Sequence, residues 1–331
     1  FRLIIEKIGN LRLSYLLPFI FFSGLDIIGF PLSDATLTSN LHIELWSELA
    51  AWESNTTLLF WVYNQAIPSW VATMLILCYG RHAGFCAVTL CFLSISAPFS
   101  VVGLFPLCVY YILDAVRREK DPVSAFKAIL SPVNIISIFG VIPVIAYLSL
   151  NSSTSIHIGF WGLSASQWTI SLILLFVLEV LIFLPFIYRE IAHSPEFYIL
   201  FFTAAAALIF IMGDTSDFNS RIELPLNYYI TFRLIVMVSK WRQLSLTTRR
   251  LFLGVAMLAA VTPILEISRT LYMTAREPAG EYISRREPSI FRFQLLRHNF
   301  VVDSLLINPT ATIKIFNYNQ DIKKPDHSKK E

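Results

Sequence analysis

Nine apolar stretches run through this 331-residue chain, at roughly 12–30, 58–79, 84–97, 98–116, 132–150, 167–188, 197–213, 226–240 and 251–268. Most reach the ~17–25 residues with which a helix crosses the hydrocarbon of a bilayer. The stretches 84–97 and 226–240 fall short. The region 84–116 reads either as a tight hairpin turning at Ala97-Pro98-Phe99-Ser100 or as a re-entrant element with one kinked span. Charged residues make up 15% of the chain and hydrophobic ones 55%, whereas a soluble domain carries about 25% charged residues. That is too little charge for a water-facing surface. The expected fold is all-α, a polytopic transmembrane helix bundle of about nine spans. A disordered, collagenous or nucleic-acid-binding chain is excluded.

Lysine and arginine set the orientation. Thirteen lie on one side, from Arg2, Lys7 and Arg12 through the 117–127 turn to Arg249 and Arg250, whereas the loops 31–57, 151–166 and 214–225 on the other hold Arg221 alone. The basic side is therefore expected to be cytoplasmic. Charge also divides the chain along its length: residues 1–274 carry 16 basic and 16 acidic side chains, and residues 275–331 carry 10 and 7. We expect a transmembrane helical domain over 1–274 and a charged extracytoplasmic tail over 275–331. A short strand-like alternation lies at 313–318, and the basic end of the tail is expected to be disordered. The chain opens on Phe1 without a leader-type segment, and we read it as the C-terminal part of a longer protein.

The face opposite the arginines is acidic, with Asp34, Glu44, Glu48, Glu53, Asp214, Asp217 and Glu223, and with Asp26 and Glu266 near span ends. Within 41–53, Leu41, Leu45, Leu49 and Trp52 recur at helical spacing behind Asn40 as N-cap, and His42, Glu44 and Glu48 form the other stripe. This pattern predicts an amphipathic helix lying in the interface. Glu44 and Glu48 are then either solvated or turned into a cavity as acid, base or metal ligand. Asn64 and Gln65 are costly in hydrocarbon without partners, and Pro68 removes a backbone bond. A broken helix lining a polar cavity accounts for all three, and an interhelical hydrogen bond is the simpler alternative.

In the 213–225 loop, Asp214 and Asp217 could share a divalent cation, and Arg221 could fork onto phosphate or carboxylate. A solvated Asp–Arg pair is the plainer reading. Glu179 and Arg233 fall in mid-span, where an isolated charge costs about 2.5–3.5 kcal/mol on insertion scales. We therefore expect them to face the bundle interior and to approach each other or further polar groups. Cys78, Cys86, Cys91 and Cys108 all lie in apolar runs without metal-ligand spacing. No phosphate loop, HExxH, CxxC or G-x-S-x-G motif occurs. Asn55-Thr56-Thr57 and Asn151-Ser152-Ser153 match the glycosylation sequon.

Several strings taken together carry a family resemblance: Ser23-Gly24-Leu25-Asp26-Ile27-Ile28-Gly29; His42-Ile43-Glu44-Leu45-Trp46; Ser54-Asn55-Thr56-Thr57-Leu58-Leu59-Phe60-Trp61 with Asn64-Gln65-Ala66-Ile67-Pro68-Ser69-Trp70; and Asp217-Phe218-Asn219-Ser220-Arg221 with Pro225. They resemble strings of a group of large bacterial multi-pass proteins that look like GT-C-type glycosyltransferases. The resemblance covers roughly 20–75 and 213–226. Leu45, Tyr63 and Ser220 depart from the group's pattern, and the catalytic aspartate of such enzymes belongs to a first outer loop that would precede Phe1.

The resemblance implies an inverting transfer of sugar from a polyprenyl-phosphate carrier outside the bacterial cytoplasmic membrane. A carboxylate would activate the acceptor hydroxyl as general base, and cationic groups or a divalent cation would neutralise the leaving phosphate. On this reading Asp26, Glu44, Glu48 and Asp217 are the catalytic candidates, and Asn64, Gln65 and Arg221 contact substrate. No metal ligand is assigned. Two other classes stay open. One is a transporter or flippase that couples substrate movement to Glu179 and Arg233, and the other is a non-catalytic membrane assembly subunit.

Overall fold

The computed structural model describes residues 15–32, 43–47, 52–80, 83–118, 122–150, 165–208 and 217–276. All regular structure among them is helical. The α-helices in chain order are α1 (Leu16–Ile20), α2 (Asp26–Gly29), α3 (Asn55–Trp61), α4 (Tyr63–Tyr79) and α5 (Ala83–Ser96). They continue with α6 (Pro98–Arg118), α7 (Pro122–Ile129), α8 (Pro132–Leu150), α9 (Ala165–Glu179) and α10 (Leu184–Ile191). The last five are α11 (Pro195–Ala207), α12 (Asp217–Ile222), α13 (Leu224–Ser239), α14 (Leu246–Ala259) and α15 (Val261–Arg276). By contacts the chain forms two units, Phe1–Val144 with Ile156–Met273, and Ile145–Ser155 with Thr274–Glu331. Everything below concerns the first. The 313–318 alternation and nearly all of the 275–331 tail lie outside the described residues.

Three helical stretches are long and apolar enough to cross a membrane: Pro98–Arg118, Ile170–Ile191 and Leu246–Tyr272, of 21, 22 and 27 residues. Shorter apolar helices cover Phe85–Ser96, Pro132–Ala146, Pro195–Ala207 and Leu224–Ser239. The outward faces suit hydrocarbon. On α8 the buried positions are Asn134 and Ser137, while Ile136, Ile138 and Phe139 are exposed. A helix in water shows the reverse. Asn134 and Ser137 satisfy themselves locally, donating to the Ile129 and Val133 carbonyls at 2.8 and 2.7 Å. Of the two readings of 84–116, the structure has α5 and α6 as two helices packed on one another, with Ala97 between them and Pro98 opening α6.

Several of the apolar stretches are interrupted. The 12–30 stretch leaves α1 at Ile20, runs without helix through Phe22–Leu25, and re-enters helix at Asp26. The 167–188 stretch stops as α-helix at Glu179 and tightens into a 3₁₀ turn at Leu181–Phe183 before α10. Pro185 explains the tightening, because it offers no N–H to the Leu181 carbonyl and its ring crowds that group. The 251–268 stretch turns at Ala260, and Pro263 in the first turn of α15 likewise leaves the Ala259 carbonyl without a helical donor.

The 58–79 stretch breaks as well, at Val62 (φ −141°, ψ 33°) rather than at Pro68. Pro68 falls early in α4, where its missing N–H costs the Asn64 carbonyl one donor and the helix continues.

The most enclosed element is α13, in which every residue from Leu224 to Phe232 is buried. Its Leu226, Tyr229, Ile230 and Leu234 join the main apolar core with Leu104, Leu107, Ile187 and Leu200. Its Leu224, Tyr228 and Phe232 pack a second cluster with Leu58, Ala66, Trp70 and Met74. Helix α6 closes on α12 through Gly103, where a Cβ would lie 2.3 Å from the Ile222 carbonyl oxygen. One turn earlier Ser100 Oγ donates to the Arg221 carbonyl at 2.9 Å. Small residues allow this backbone approach, as they do between helices in membranes.

Candidate functional site

The breaks at 22–25, 180 and 260 converge. Leu25 N–H, freed by the first break, donates to the Leu178 carbonyl at the second over 3.1 Å. Asp26, at the start of α2, and Glu179, at the end of α9, are both fully buried. Trp46 Nε1 donates to both, 3.1 Å from Asp26 Oδ1 and 3.1 Å from Glu179 Oε1. Asp26 Oδ2 accepts from Ser23 Oγ at 2.7 Å and from Thr262 Oγ1, two residues past the third break, at 2.8 Å. The shared indole N–H thus holds the two carboxyl groups beside each other. Two glycines make the room. A Cβ on Gly24 would lie 1.3 Å from Glu179 Oε2, and one on Gly29 would lie 2.4 Å from the Trp46 ring. Glu179 Oε2 has no hydrogen-bond partner.

A second acidic group adjoins the first through the 3₁₀ turn Ile43–Trp46, which carries both Glu44 and Trp46. Glu44 Oε1 accepts from Ser54 N at 3.0 Å and from Thr57 Oγ1 at 2.7 Å. Ser54 in turn caps α3, its Oγ accepting from Thr57 N at 3.1 Å. Burial, and next the charge of Asp26, hold the Glu44 carboxyl well above the usual carboxylate range, against the hydrogen bond from Thr57. Glu53 pairs with the buried Arg221 at 2.6 Å, and its carbonyl accepts from Asn227 Nδ2 at 2.9 Å. Glu223 is buried beside them, and burial and then Glu53 push it well above the carboxylate range, with Arg221 opposing.

The start of α3 also repairs the first break. Asn55 Nδ2 donates to the Phe19 carbonyl at 3.1 Å and to Thr231 Oγ1 at 3.2 Å, and Thr56 Oγ1 donates to the Ile20 carbonyl at 2.5 Å. The last carbonyls of α1 thus find donors that a continuous helix would have supplied. The Asn55-Thr56-Thr57 sequon is therefore buried and structural. The other sequon lies outside the described residues.

The sequence-predicted site residues divide as follows. Asp26 and Glu44 come together in the buried network, and Arg221 joins it through Glu53. Asp217 opens α12, the helix that carries Arg221. Asn64 is exposed and Gln65 half-buried on the first turn of α4, and the network is built without them. Glu48 lies outside the described residues. The 41–53 amphipathic helix is corrected in its described part: Ile43–Trp46 is a 3₁₀ turn, Ser47 is a bend, and residues 52–54 are not helical. Glu44, Trp46 and Trp52 are buried, because the polar atoms of Glu44 and Trp46 are held by distant segments rather than by water.

Glu179 and Arg233 do find polar or aromatic company, but not each other. The Arg233 guanidinium stacks over Tyr229, 4.8 Å from the ring centroid. Tyr229 Oη shares a hydrogen bond with Ser194 Oγ at 2.7 Å, and Glu196 accepts from Ser194 Oγ at 2.6 Å and from Tyr111 Oη at 3.0 Å.

Trp46 and Thr262 were not marked by the sequence. An indole near a carboxylate in a pair of interrupted stretches is a weak signal, and a lone threonine is none. Among the described residues no group of three or more His, Cys, Asp or Glu side chains is arranged to hold a metal ion. The network's acids are instead occupied by hydroxyl, indole, guanidinium and backbone donors.

Comparison with known proteins finds no family model, no curated relative and no solved structure that matches this chain.

Proposed function

We propose that this chain serves the transfer of sugar from a polyprenyl-phosphate carrier, as its resemblance to GT-C-type glycosyltransferases implies. On this reading it lies in a bacterial cytoplasmic membrane with about nine spans. Its acidic loops and C-terminal tail are outside. One observation carries the reading: the strings behind the resemblance, although far apart in sequence, meet in one network. Ser23 and Asp26 come from the first, Glu44 and Trp46 from the second, Ser54 and Thr57 from the third, and Arg221 from the fourth.

Within that network Glu44 is the candidate base, since burial and the charge of Asp26 raise its pKa and make its carboxylate more basic than a solvated one. It would take the proton of the acceptor hydroxyl as that oxygen attacks the anomeric carbon and the carrier phosphate departs with the bonding pair. Arg221 would stabilise the leaving phosphate. Asp26 holds Trp46 and, through it, the turn that carries Glu44. Asp217 and Glu48 are further catalytic candidates on this reading, and Asn64 and Gln65 would orient polar groups of the substrate.

The test is transfer from radiolabelled polyprenyl-phosphate sugars by membranes containing the chain. Transfer above vector-only membranes that falls to background in Glu44→Gln and Arg221→Gln supports the proposal. Membranes indistinguishable from the vector control, or undiminished transfer by both variants, refute it.

The Asp26–Glu179 contact at three helix breaks favours a second reading, a proton-coupled transporter. Two carboxyls this close can hold one proton between them, and interrupted helices are where transporters place their coupling sites. The partner of Glu179 would then be Asp26 instead of Arg233. Substrate-driven proton movement in proteoliposomes, lost in Glu179→Gln, would select this reading over sugar transfer.

A further inference from the structure

We propose that the cavity between α1, α13 and α14 binds an anionic phospholipid from the leaflet on the Lys240 side. The acyl chain would lie among aromatic rings and the phosphate at Lys240 and Arg242. The cavity has a volume of about 630 Å³, within the ~300–1,000 Å³ of small-molecule sites. Its two ends differ in kind. Phe22, Phe183 and Phe252 line the body, with Phe22 and Phe183 in ring contact at 5.0 Å. The turn after α13 supplies Lys240, Arg242 and Gln243. Apolar and cationic surfaces are therefore segregated as they are in an anionic amphiphile.

The cavity also opens where a lipid could enter. Two of its lining residues, Leu17 and Leu253, are 55% and 49% exposed. They continue the apolar outer face that α14 makes with Leu246, Leu251 and Met257. Trp241 lies between the two ends, its ring 5.9 Å from that of Phe252. Tryptophan at such a boundary is typical of the depth where headgroup meets chain.

Charge selects the occupant. Lys240 is paired with Glu190, but Arg242 makes no ion pair among the described residues. Arg249 is drawn to the same turn, its Nη2 donating to the Arg242 carbonyl at 2.7 Å and its Nε to the Leu244 carbonyl at 3.0 Å. The turn thus gathers three cations, of which Lys240 alone is paired with a carboxylate among the described residues. A zwitterionic lipid would leave that excess unmatched, and a soluble anion would leave the aromatic body wet. The acidic network uses none of these residues, so the inference stands apart from the proposed activity.

The experiment compares lipids on the purified full chain in a neutral detergent, by thermal melting and by titration. Phosphatidylglycerol, phosphatidylcholine with the same acyl chains, and inorganic phosphate are the three additions. Phosphatidylglycerol is expected to raise the melting temperature and to bind several-fold more tightly than phosphatidylcholine. Arg242→Gln, at an exposed position, should melt like the wild type without lipid and lose about fivefold in phosphatidylglycerol affinity, the effect of one basic residue near an anionic headgroup. Ala256→Phe, which fills the apolar body, should abolish the binding. Equal affinity for the two lipids overturns the proposal. So does an unchanged preference in Arg242→Gln, or stabilisation by inorganic phosphate as large as that by phosphatidylglycerol.

Discussion

Gly24→Ala tests whether the meeting of helix breaks is as tight as its geometry implies. The new Cβ would fall 1.3 Å from Glu179 Oε2 and 2.1 Å from Glu179 Cδ, so the carboxyl must move. A glutamate on a surface would swing aside at little cost. Glu179 is fully buried and accepts from Trp46 through its other oxygen, so moving aside breaks that bond or disturbs the packing around it. Backbone strain is not involved, because Gly24 lies outside the left-handed region. Overpacking costs about 1–3 kcal/mol, and a buried polar group that loses its partner costs about 1–3 kcal/mol more. The sum, near 4 kcal/mol, is a large share of the ~5–15 kcal/mol that holds a folded protein together. It should lower the melting temperature by about 10 °C.

Glu179→Ala supplies the control. It removes the atoms that clash, so Gly24→Ala should cost far less in that background, with a coupling of about 2–3 kcal/mol in the double-mutant cycle. The readout is thermal unfolding of the detergent-purified chain in all four combinations. Gly24→Ala melting within about 1 °C of wild type, a shift worth only a few tenths of a kcal/mol, would refute the reasoning. Penalties that simply add would do the same.

Three further outcomes follow from the same contacts. Trp46→Phe keeps an aromatic ring against Gly29 but removes the one N–H that Asp26 and Glu179 share, and should cost about 1–3 kcal/mol in a thermal melt; a neutral result would show the bridge to be dispensable. Glu44 binds its proton more tightly when folded, so its contribution to stability is fully present below the ordinary carboxylate value of 4.5 and declines as pH rises toward its elevated folded value; Glu44→Gln, permanently neutral, should flatten the stability–pH curve above that value, and parallel curves for the two proteins would contradict this. Gly103→Ala meets the Ile222 backbone instead of a movable side chain, so it should part α6 from α12 at a cost of about 1–3 kcal/mol, read as a lower melting temperature; an unchanged melt would refute the close approach.

Helical class and membrane-spanning character were legible because apolar run length is a local property and three of the runs emerge long enough to cross. The interruptions were only half legible. Pro185 and Pro263 stand in the sequence as helix disruptors, yet whether a proline kinks a span, tightens one turn or passes unnoticed depends on where it falls in the helix. Pro68 shows this, since the nearby break is at Val62. The need of Glu179 for a buried polar partner could be read from its depth. Its actual partner could not, because pairing between 26 and 179 depends on how two interrupted stretches cross, and periodicity does not encode that. For Glu44 the amphipathic pattern leaves both solvent and a cavity open, and only the fold supplies Ser54 and Thr57 as its donors.

Thr262 reaches Asp26 across 236 positions, and Glu179 reaches Trp46 across 133. A ribosome that has delivered Asp26 to the bilayer must therefore leave it without its Thr262 donor while 236 further residues are made. The bonds around Asp26 are completed only when α15 arrives, which makes that helix their keystone. Quality control that senses unshielded acids within lipid would have a long interval in which to act on stalled or shortened products.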